Sequence, residues 1–203
     1  MNALIDFDKL LDEASPFALL SEWMTTAEAT EPQNPTAAQL ATVDDTGFPN
    51  VRTVLIRKYD PHGLVFFTNC NSTKGRELTE TPKAALLFYW RSLSRQIRIR
   101  GDIQTVTEDD ADHYFASRPR ESQIGAHASK QSEPLSSRDV FDAALRHYHA
   151  VFANREVPRP PHWSGYRLVP TEIEFWQERP YRLHDRIRFE LHDGAWQPYL
   201  LYP

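Results

Sequence analysis

The chain has 203 residues, which is enough for one large domain or two small ones with a sizeable core. Its composition, 40% hydrophobic and 25% charged, is that of an ordinary soluble globular protein, and its net charge of −5 disfavours nucleic-acid binding because neutralising phosphates requires a basic face. A single cysteine, Cys70, excludes an internal disulfide, and without a signal-peptide pattern or a run of about 20 apolar residues we expect a cytoplasmic protein with no membrane partner.

The first half of the chain predicts one helix followed by strands. Ser15 is the predicted helix cap and Pro16 the first helical residue. The apolar stripe of this helix consists of Leu19, Leu20, Trp23 and Met24. Short apolar runs separated by turn sequences then predict strands over 38–43, 51–58, 64–68, 84–90 and 96–106. In the last strand, isoleucines at 97, 99 and 103 alternate with polar residues, which predicts one buried face.

Helices return in the middle of the chain and strands return at its end. Thr107 and Ser136 begin two predicted helices, and the second has an apolar stripe of Val140, Phe141, Leu145, Tyr148 and Phe152. Later apolar runs predict strands over 165–168, 172–177, 187–191 and 196–201. Short strands joined by tight turns are typical of an antiparallel barrel or sandwich, so the predicted fold is mainly β with flanking helices. We interpret 1–203 as a single domain with an N-terminal helical segment (1–35), a helical insertion (107–155) and C-terminal strands (163–203).

The segment from Ser117 to Ser132 has the chemistry of an anion site. It contains Arg118, Arg120 and Lys130 together with serines and glutamines. It has almost no large apolar side chain, so we expect it to contribute little to a core. Arginine offers a planar fork of donors that suits a phosphate, and serine hydroxyls complete the contacts. The segment 174–186 adds an aromatic platform beside ionisable groups, and together the two segments predict a site for a phosphorylated, planar aromatic ligand.

Three further groups of cations each allow a functional and an ordinary interpretation. Arg52 and Arg57 lie in one predicted strand, on opposite faces by alternation, and are either ligand-binding or solvated edge residues. Residues 72–78 predict a capped helix start at which Lys74 suits an anion, or simply a cap with surface charges. Residues 182–186, if extended, place Arg182, His184 and Arg186 on one face, or they form a solvated turn. Neither a Gly-x-Ser-x-Gly elbow nor an HExxH pair is present, so we predict neither a serine hydrolase nor a metal site.

The joint order of these motifs resembles the pyridoxine (pyridoxamine) 5′-phosphate oxidase family over nearly the whole chain, from Pro16 to Pro203. The strongest matches are Ser117-Arg-Pro-Arg-Glu-Ser-Gln-Ile-Gly-Ala126, Ser129-Lys-Gln-Ser132, Ile173-Glu-Phe-Trp-Gln177 and Arg182-Leu-His-Asp-Arg186. The resemblance implies an antiparallel, Greek-key-like split β-barrel that binds flavin mononucleotide (FMN). It also implies a homodimer with FMN at the subunit interface.

Carried over by position, the resemblance implies two overlapping sets of site residues. The flavin-binding set comprises Arg52, Thr53, Val54, Leu55, Ile56, Arg57, Phe67, Thr68, Thr73, Lys74, Gln96, Gln131, Ser132, Trp176 and Arg186. The substrate-binding set comprises Arg57, Tyr114, Arg118, Ser122, Arg182 and His184. The implied catalytic residues are Arg182, which stabilises charge on the phenolic oxygen of the substrate, and His184, which places or accepts a proton.

The implied activity is oxidation of pyridoxamine or pyridoxine 5′-phosphate to pyridoxal 5′-phosphate, with O₂ as acceptor and hydrogen peroxide as product. The chain departs from the family pattern at Arg57, Phe67, Thr73 and His127, where members commonly have lysine, tyrosine, arginine and tryptophan, and its tail lacks a common arginine. These departures leave three alternatives open. They are a flavin oxidase for another aromatic substrate, as in phenazine biosynthesis, a non-enzymatic carrier of flavin or pyridoxal phosphate, and a structural barrel without cofactor.

Overall fold

The N-terminal helical segment is described only in part, because the computed structural model describes residues 5–12 and 15–203. Residues 1–4 and 13–14 of the predicted segment lie outside the described residues. The described part contains a 3₁₀ turn, Phe7–Asp12, and helix α1, Phe17–Thr30. The helix begins one position later than expected, with Pro16 at the N-cap, and the Ser15 hydroxyl accepts a hydrogen bond from the Phe17 N–H at 3.4 Å.

The strands of the described residues form one nine-stranded sheet in which every pairing is antiparallel. The strands are β1 (Ala37–Val43), β2 (Pro49–Leu55), β3 (Lys58–Asp60), β4 (Gly63–Asn69), β5 (Lys83–Trp90), β6 (Arg95–Thr105), β7 (Trp163–Gln177), β8 (Asp185–His192) and β9 (Ala195–Leu200). Their order is β2-β1-β5-β6-β7-β4-β3, with β8 paired to β7 and β9 to β8. The remaining helices are α2 (Thr73–Glu80), α3 (Glu108–Ser117), α4 (Arg120–Ala128) and α5 (Arg138–Val151).

The sheet closes into a barrel because its first and last strands are consecutive in the chain. β2 and β3 stand at opposite ends of the strand order, yet only Ile56 and Arg57 separate them. The Ile56 N–H donates to the Thr36 carbonyl at 2.9 Å, and the Arg57 N–H donates to the Val65 carbonyl at 2.8 Å. The prediction of one strand over 51–58 is therefore wrong, and alternation does not run from Arg52 to Arg57. The predicted class, mainly β with flanking helices, is confirmed.

Large apolar side chains fill the barrel. Those with no exposed surface include Leu40, Phe66, Leu86, Phe88, Ile97, Ile99 and Phe175. The predicted stripe of α1 is buried against them, and the Trp23 ring meets Phe175 edge-on with 5.3 Å between ring centroids. Full burial of each such side chain stabilises the fold by about 1.5–3 kcal/mol relative to exposure, as an upper estimate.

β7 is a single long strand where two shorter ones were predicted. It pairs with β4, β6 and β8, and Pro170 does not interrupt it because the register with β6 shifts between Arg100 and Gly101. A Cβ atom at Gly101 would lie 2.0 Å from the Val169 carbonyl oxygen, so the missing side chain lets the two backbones pass. β7 therefore runs unbroken over 15 residues, pairing with β4 along its first part and with β8 along its last part.

A second apolar layer lies between α3, α4, α5 and the start of β7. It consists of Phe115, Ile124, Phe152, Val157 and Trp163. The expectation that residues 117–132 contribute little to a core is wrong, because 120–128 form α4 and Ile124 is fully buried. The predicted stripe of α5 is covered only in part, with Phe152 at 6% and Val140 at 52% exposure. Within the described ranges, none of the helices combines the length and the apolar character that crossing a bilayer requires.

Candidate functional site

The start of α2 is held close to the preceding loop. Ser72 is the N-cap, as predicted, and its hydroxyl accepts a hydrogen bond from the Gly75 N–H at 3.4 Å. A Cβ atom at Gly75 would lie 2.1 Å from the Cys70 carbonyl oxygen, so only glycine permits this approach. The capped turn fixes Lys74 in the first turn of the helix.

Lys74 donates to oxygen atoms from three parts of the chain. Its ammonium group lies 2.9 Å from the Gln131 Oε1, 3.2 Å from the Ser72 hydroxyl and 3.3 Å from the Thr68 hydroxyl. Burial lowers the pKa of Lys74, and the nearby charge of Arg52 acts in the same direction. These hydrogen-bond partners are all neutral, so an anion would be a stronger partner for the ammonium group than those it has.

Ser132 connects the loop after α4 to the same helix end. Its hydroxyl accepts a hydrogen bond from the Thr73 N–H at 3.2 Å, and its backbone has a φ of 74°. We refer to Thr68, Thr73, Lys74, Gln131 and Ser132 as the lysine cluster. The structure thus brings together five members of the predicted flavin-binding set that lie far apart in the sequence.

Arg52 is fixed beside this cluster by a buried carboxylate. Its Nη2 lies 3.1 Å from Glu77 Oε2, and its Nη1 donates to the Thr42 hydroxyl. The same Glu77 oxygen accepts from Thr42 at 2.5 Å, and Asn50 donates to the other oxygen at 3.1 Å. Burial acts to raise the pKa of Glu77, but these hydrogen bonds and the charge of Arg52 outweigh it, so the pKa lies below its usual value.

Three aromatic rings stack between β4, α3 and β7. The ring of Phe67 lies 4.1 Å from that of Tyr114 and 5.5 Å from that of Trp163, nearly parallel to both. The guanidinium carbon of Arg57 is 6.0 Å from the Tyr114 centroid, and that of Arg118 is 4.7 Å from the Trp163 centroid. We call these five residues the aromatic stack. Predicted substrate residues 57, 114 and 118 therefore lie together.

Arg118 has an incompletely satisfied guanidinium. Among the described residues, its Nη1 is buried without a hydrogen-bond partner. Burial lowers the pKa of Arg118, the phenol of Tyr114 opposes this shift, and the charge of Arg57 adds to it. A buried cation with a free donor and a second cation nearby fits an anionic ligand.

The lysine cluster and the aromatic stack lie on the two faces of β4. Phe67 belongs to the stack and Thr68 to the cluster, and consecutive residues of a strand point to opposite faces. β4 thus separates two cationic sites. Hydroxyl groups line the lysine cluster, and aromatic rings line the aromatic stack.

A third group of predicted residues forms a row across β6, β7 and β8. Gln96 is the register partner of Trp176, and Trp176 is that of Arg186. The ring of His184 lies 4.6 Å from the Trp176 ring, and its Nδ1 accepts from the Arg179 N–H at 3.2 Å. We call Gln96, Trp176, His184 and Arg186 the tryptophan row.

Arg186 is held by a carboxylate, much as Arg52 is. Its Nε and Nη2 donate to one oxygen of Glu174 at 3.0 and 2.8 Å, and Arg98 donates to the other oxygen at 2.6 Å. Glu174 is 2% exposed although it lies on the face of β7 opposite the core. Two donors on one carboxylate oxygen restrain the Arg186 guanidinium.

Arg182 does not lie in an extended segment, which corrects the expectation for residues 182–186. Residues 180–182 form a 3₁₀ turn in which Tyr181 and Arg182 have φ values of 61° and 63°. Two consecutive left-handed residues that are not glycine cost conformational energy, and they turn the chain before β8. The Arg182 side chain is exposed, and its alternation with His184 and Arg186 is lost.

Some predicted site residues belong to none of these groups. Ile56 is 2% exposed and belongs to the barrel core, whereas Thr53 is exposed. Val54 and Leu55 are partly buried, as is Ser122 in the first turn of α4. Sequence reasoning missed Glu77, Glu174 and Trp163 as neighbours of site residues. The only sequence signal for Trp163 was its aromatic side chain at the end of a proline-rich stretch.

Two family models match the chain. The model described as pyridoxamine 5′-phosphate oxidase matches residues 24–152. The model described as the pyridoxine 5′-phosphate oxidase C-terminal dimerisation region matches residues 163–203. The second match contains β7, β8 and β9, and with them most of the tryptophan row.

Curated relatives match over nearly their whole length. A pyridoxine/pyridoxamine 5′-phosphate oxidase of Rhodopseudomonas palustris is 54% identical over 191 residues, covering 93% of this chain and 90% of the relative. One of Caulobacter vibrioides is 52% identical over 194 residues, covering 96% of this chain and 87% of the relative.

Solved structures share the fold. PhzG from Burkholderia lata, solved in complex with tetrahydrophenazine-1-carboxylic acid, is 34% identical, covers 100% of this chain and 99% of its own, and has a TM-score of 0.92. An FMN-binding protein from Nostoc punctiforme has a TM-score of 0.74 at 16% identity, covers 95% of this chain and 100% of its own, and so supports the fold alone. From the family models and the curated relatives together, the chain belongs to the pyridoxamine 5′-phosphate oxidase family.

Proposed function

We propose that the chain oxidises pyridoxamine 5′-phosphate and pyridoxine 5′-phosphate to pyridoxal 5′-phosphate, using FMN and O₂ and releasing hydrogen peroxide. The observation that carries this proposal is the pair of cationic sites on opposite faces of β4, the lysine cluster and the aromatic stack. A reaction between a phosphorylated cofactor and a phosphorylated substrate requires two phosphate sites close to each other. Relatives at 52–54% identity carry the name of this activity.

We assign the lysine cluster and Arg52 to the phosphate of FMN. Lys74 contributes a cation whose present partners are neutral, and the hydroxyls of Thr68 and Ser132 and the amide of Gln131 lie around it. Arg52 retains donors beyond those that contact Glu77 and Thr42, since a guanidinium has five N–H groups. The tryptophan row is assigned to the flavin ring. Because most of this row lies in the matched dimerisation region, we propose that a homodimer completes the site.

The aromatic stack is assigned to the substrate phosphate. Arg118 offers its Nη1, which has no hydrogen-bond partner in the described part of the chain, and Arg57, Tyr114 and Ser122 are the further predicted contacts. The contact of Arg118 with the Trp163 ring restrains the guanidinium before a ligand arrives, which lowers the ordering cost of binding.

The chemistry is divided between cofactor and chain. FMN, when bound, supplies the hydride acceptor and returns the electrons to O₂. The role assigned to the chain is to hold the substrate ring at reacting distance. Arg182 is assigned to the phenolic oxygen of the substrate, where its charge stabilises the anion. His184, held on Trp176, is assigned to placing or accepting a proton.

One spectroscopic experiment tests the proposal. The purified protein is expected to be yellow, and its flavin absorbance is expected to bleach when pyridoxamine 5′-phosphate is added without oxygen. Readmitting oxygen should restore the colour and produce hydrogen peroxide. A flavin that stays oxidised would support the carrier alternative instead, and a colourless protein that takes up no FMN would support the structural one.

A second candidate is a flavin oxidase acting on a tricyclic aromatic acid. The TM-score of 0.92 to PhzG favours this candidate, because the two barrels superpose over the whole chain. The phosphate-binding chemistry of the aromatic stack argues for the first candidate. Bleaching by pyridoxamine 5′-phosphate but not by a reduced phenazine carboxylate would decide between them.

A further inference from the structure

Glu77 is a buried carboxylate that none of the assigned sets includes. It lies one turn after Lys74 on α2 and is 5% exposed. An acidic residue beside a phosphate site normally weakens binding through repulsion. Its burial next to two cations therefore requires a reason.

The contacts of Glu77 join three elements. It accepts hydrogen bonds from Thr42 on β1 and from Asn50 and Arg52 on β2, and it stands itself on α2. Both carboxylate oxygens are used. Thr42 also accepts from Arg52, so the guanidinium is held at two of its nitrogens.

Glu77 affects the interaction between the two neighbouring cations. Arg52 and Lys74 repel each other, and the charge of Arg52 lowers the pKa of Lys74. The carboxylate of Glu77 acts in the opposite direction on Lys74. The carboxylate therefore offsets part of the repulsion between the two cations before any anion is bound.

We propose that Glu77 is a positioning residue for the phosphate of the flavin nucleotide: it holds Arg52 and balances its charge beside Lys74, so that both cations are presented together. The inference rests on the proposed function, because it takes the lysine cluster as the FMN phosphate site. It differs from a simple charge effect, which predicts that removing the carboxylate strengthens phosphate binding.

The test compares FMN with riboflavin, which has the same ring but no phosphate. Flavin-free protein is titrated with each flavin, and binding is followed by quenching of flavin fluorescence. The variant is Glu77→Gln. The matched control is Glu80→Gln, which removes the same charge from an exposed position on the same helix.

For Glu77→Gln we expect the Kd for FMN to rise about tenfold, the effect of weakening one charge-assisted hydrogen bond, with the Kd for riboflavin unchanged. Glu80→Gln is expected to change neither. Unchanged or tighter FMN binding by Glu77→Gln would overturn the inference, as would an equal loss for both flavins. A wild-type protein that does not prefer FMN over riboflavin would instead overturn the assignment of the lysine cluster, and this inference with it.

A second variant covers the case in which Glu77→Gln does not fold. Thr42→Val removes the hydroxyl that contacts both Glu77 and Arg52 and keeps nearly the same shape. A selective loss of FMN binding is again expected, and equal Kd changes for both flavins would count against the positioning role.

Discussion

Arg118 lies over the indole ring of Trp163, with 4.7 Å between the guanidinium carbon and the ring centroid, while its Nη1 is buried without a hydrogen-bond partner among the described residues. The ring restrains the guanidinium, and in the proposed function the free donor is a contact for the substrate phosphate. Arg57 stands over Tyr114 in the same stack, so a ligand there meets two cations held by aromatic rings. If the aromatic stack binds phosphate as proposed, the phosphorylated vitamer is the preferred substrate.

Replacing Arg118 with alanine should raise the KM for pyridoxamine 5′-phosphate about ten- to hundredfold, because a lost charge-assisted contact costs about 1.5–3 kcal/mol. Arg155→Ala is the matched control, since Arg155 also lies over an aromatic ring, 5.3 Å from the Phe152 centroid, but is exposed. Steady-state oxygen consumption measures both. An unchanged KM in Arg118→Ala would remove this residue from the site.

FMN affinity should fall as the pH rises toward 10.5, the ordinary pKa of lysine, because burial lowers the pKa of Lys74. Between the lowered pKa of Lys74 and pH 10.5, Lys74 of the flavin-free protein is deprotonated. A bound phosphate favours protonation of Lys74. FMN binding then takes up a proton, so raising the pH weakens it. The same shift means that the flavin-free fold gains stability as the pH rises through this window.

Lys74→Arg tests the assignment of this pH dependence to Lys74. A guanidinium stays charged over the whole range, so the alkaline fall in FMN affinity should disappear. Titrations with FMN and riboflavin at increasing pH provide the measurement. Riboflavin binding should not follow Lys74, and identical pH profiles in the wild type and in Lys74→Arg would exclude Lys74 as the group responsible.

Arg182→Ala should slow flavin reduction much more than it weakens FMN binding. The residue lies in an exposed left-handed turn and is assigned to the phenolic oxygen of the substrate. Anaerobic stopped-flow absorbance gives the reduction rate, and fluorescence titration gives the Kd for FMN. Arg91→Ala, at an exposed turn residue, controls for loss of surface charge. A normal reduction rate in Arg182→Ala would end its catalytic assignment.

Replacing Gly75 and Gly125 with alanine should change the unfolding free energy in opposite directions. In Gly75→Ala the new Cβ would lie 2.1 Å from the Cys70 carbonyl oxygen, and the resulting backbone shift should cost about 1–3 kcal/mol of unfolding free energy. This exceeds the helix-propensity gain of about 0.5–1 kcal/mol. A Cβ atom at Gly125 would meet no described residue within 4 Å other than its chain neighbours and the backbone of its own helix, so Gly125→Ala should show the gain alone. Urea denaturation measures both, and a stabilised Gly75→Ala would contradict the close approach.

Local sequence patterns predicted most helices and strands but not the tertiary contacts between them. Ser72 predicted the start of α2, and alternation predicted the buried face of β6. The contact between Lys74 and Gln131 depends on barrel closure and on the loop after α4, which no local period encodes. The resemblance to a known family, rather than propensity, indicated that these residues belong together.

Three other features that were not predicted from the sequence have physical explanations. Glu77 stands among charged residues in a short helix, where a carboxylate is usually exposed, so its burial was not predictable. The left-handed pair at Tyr181 and Arg182 contains no glycine and has no sequence signature. Ile124 is one apolar residue in a polar segment, and its burial depends on neighbouring helices that supply the rest of the surface.

Because β7 pairs with a strand from much earlier in the chain, the sheet can be completed only late in translation. Leu64 on β4 pairs with Leu168 on β7, so β4 emerges from the ribosome long before the strand that covers its edge. Until translation reaches β7, that edge is open to other chains, which is a common route to aggregation. Neither of the two proposed phosphate sites can form earlier, because Phe67 and Thr68 pair with Gly165 and Ser164 only when this strand docks.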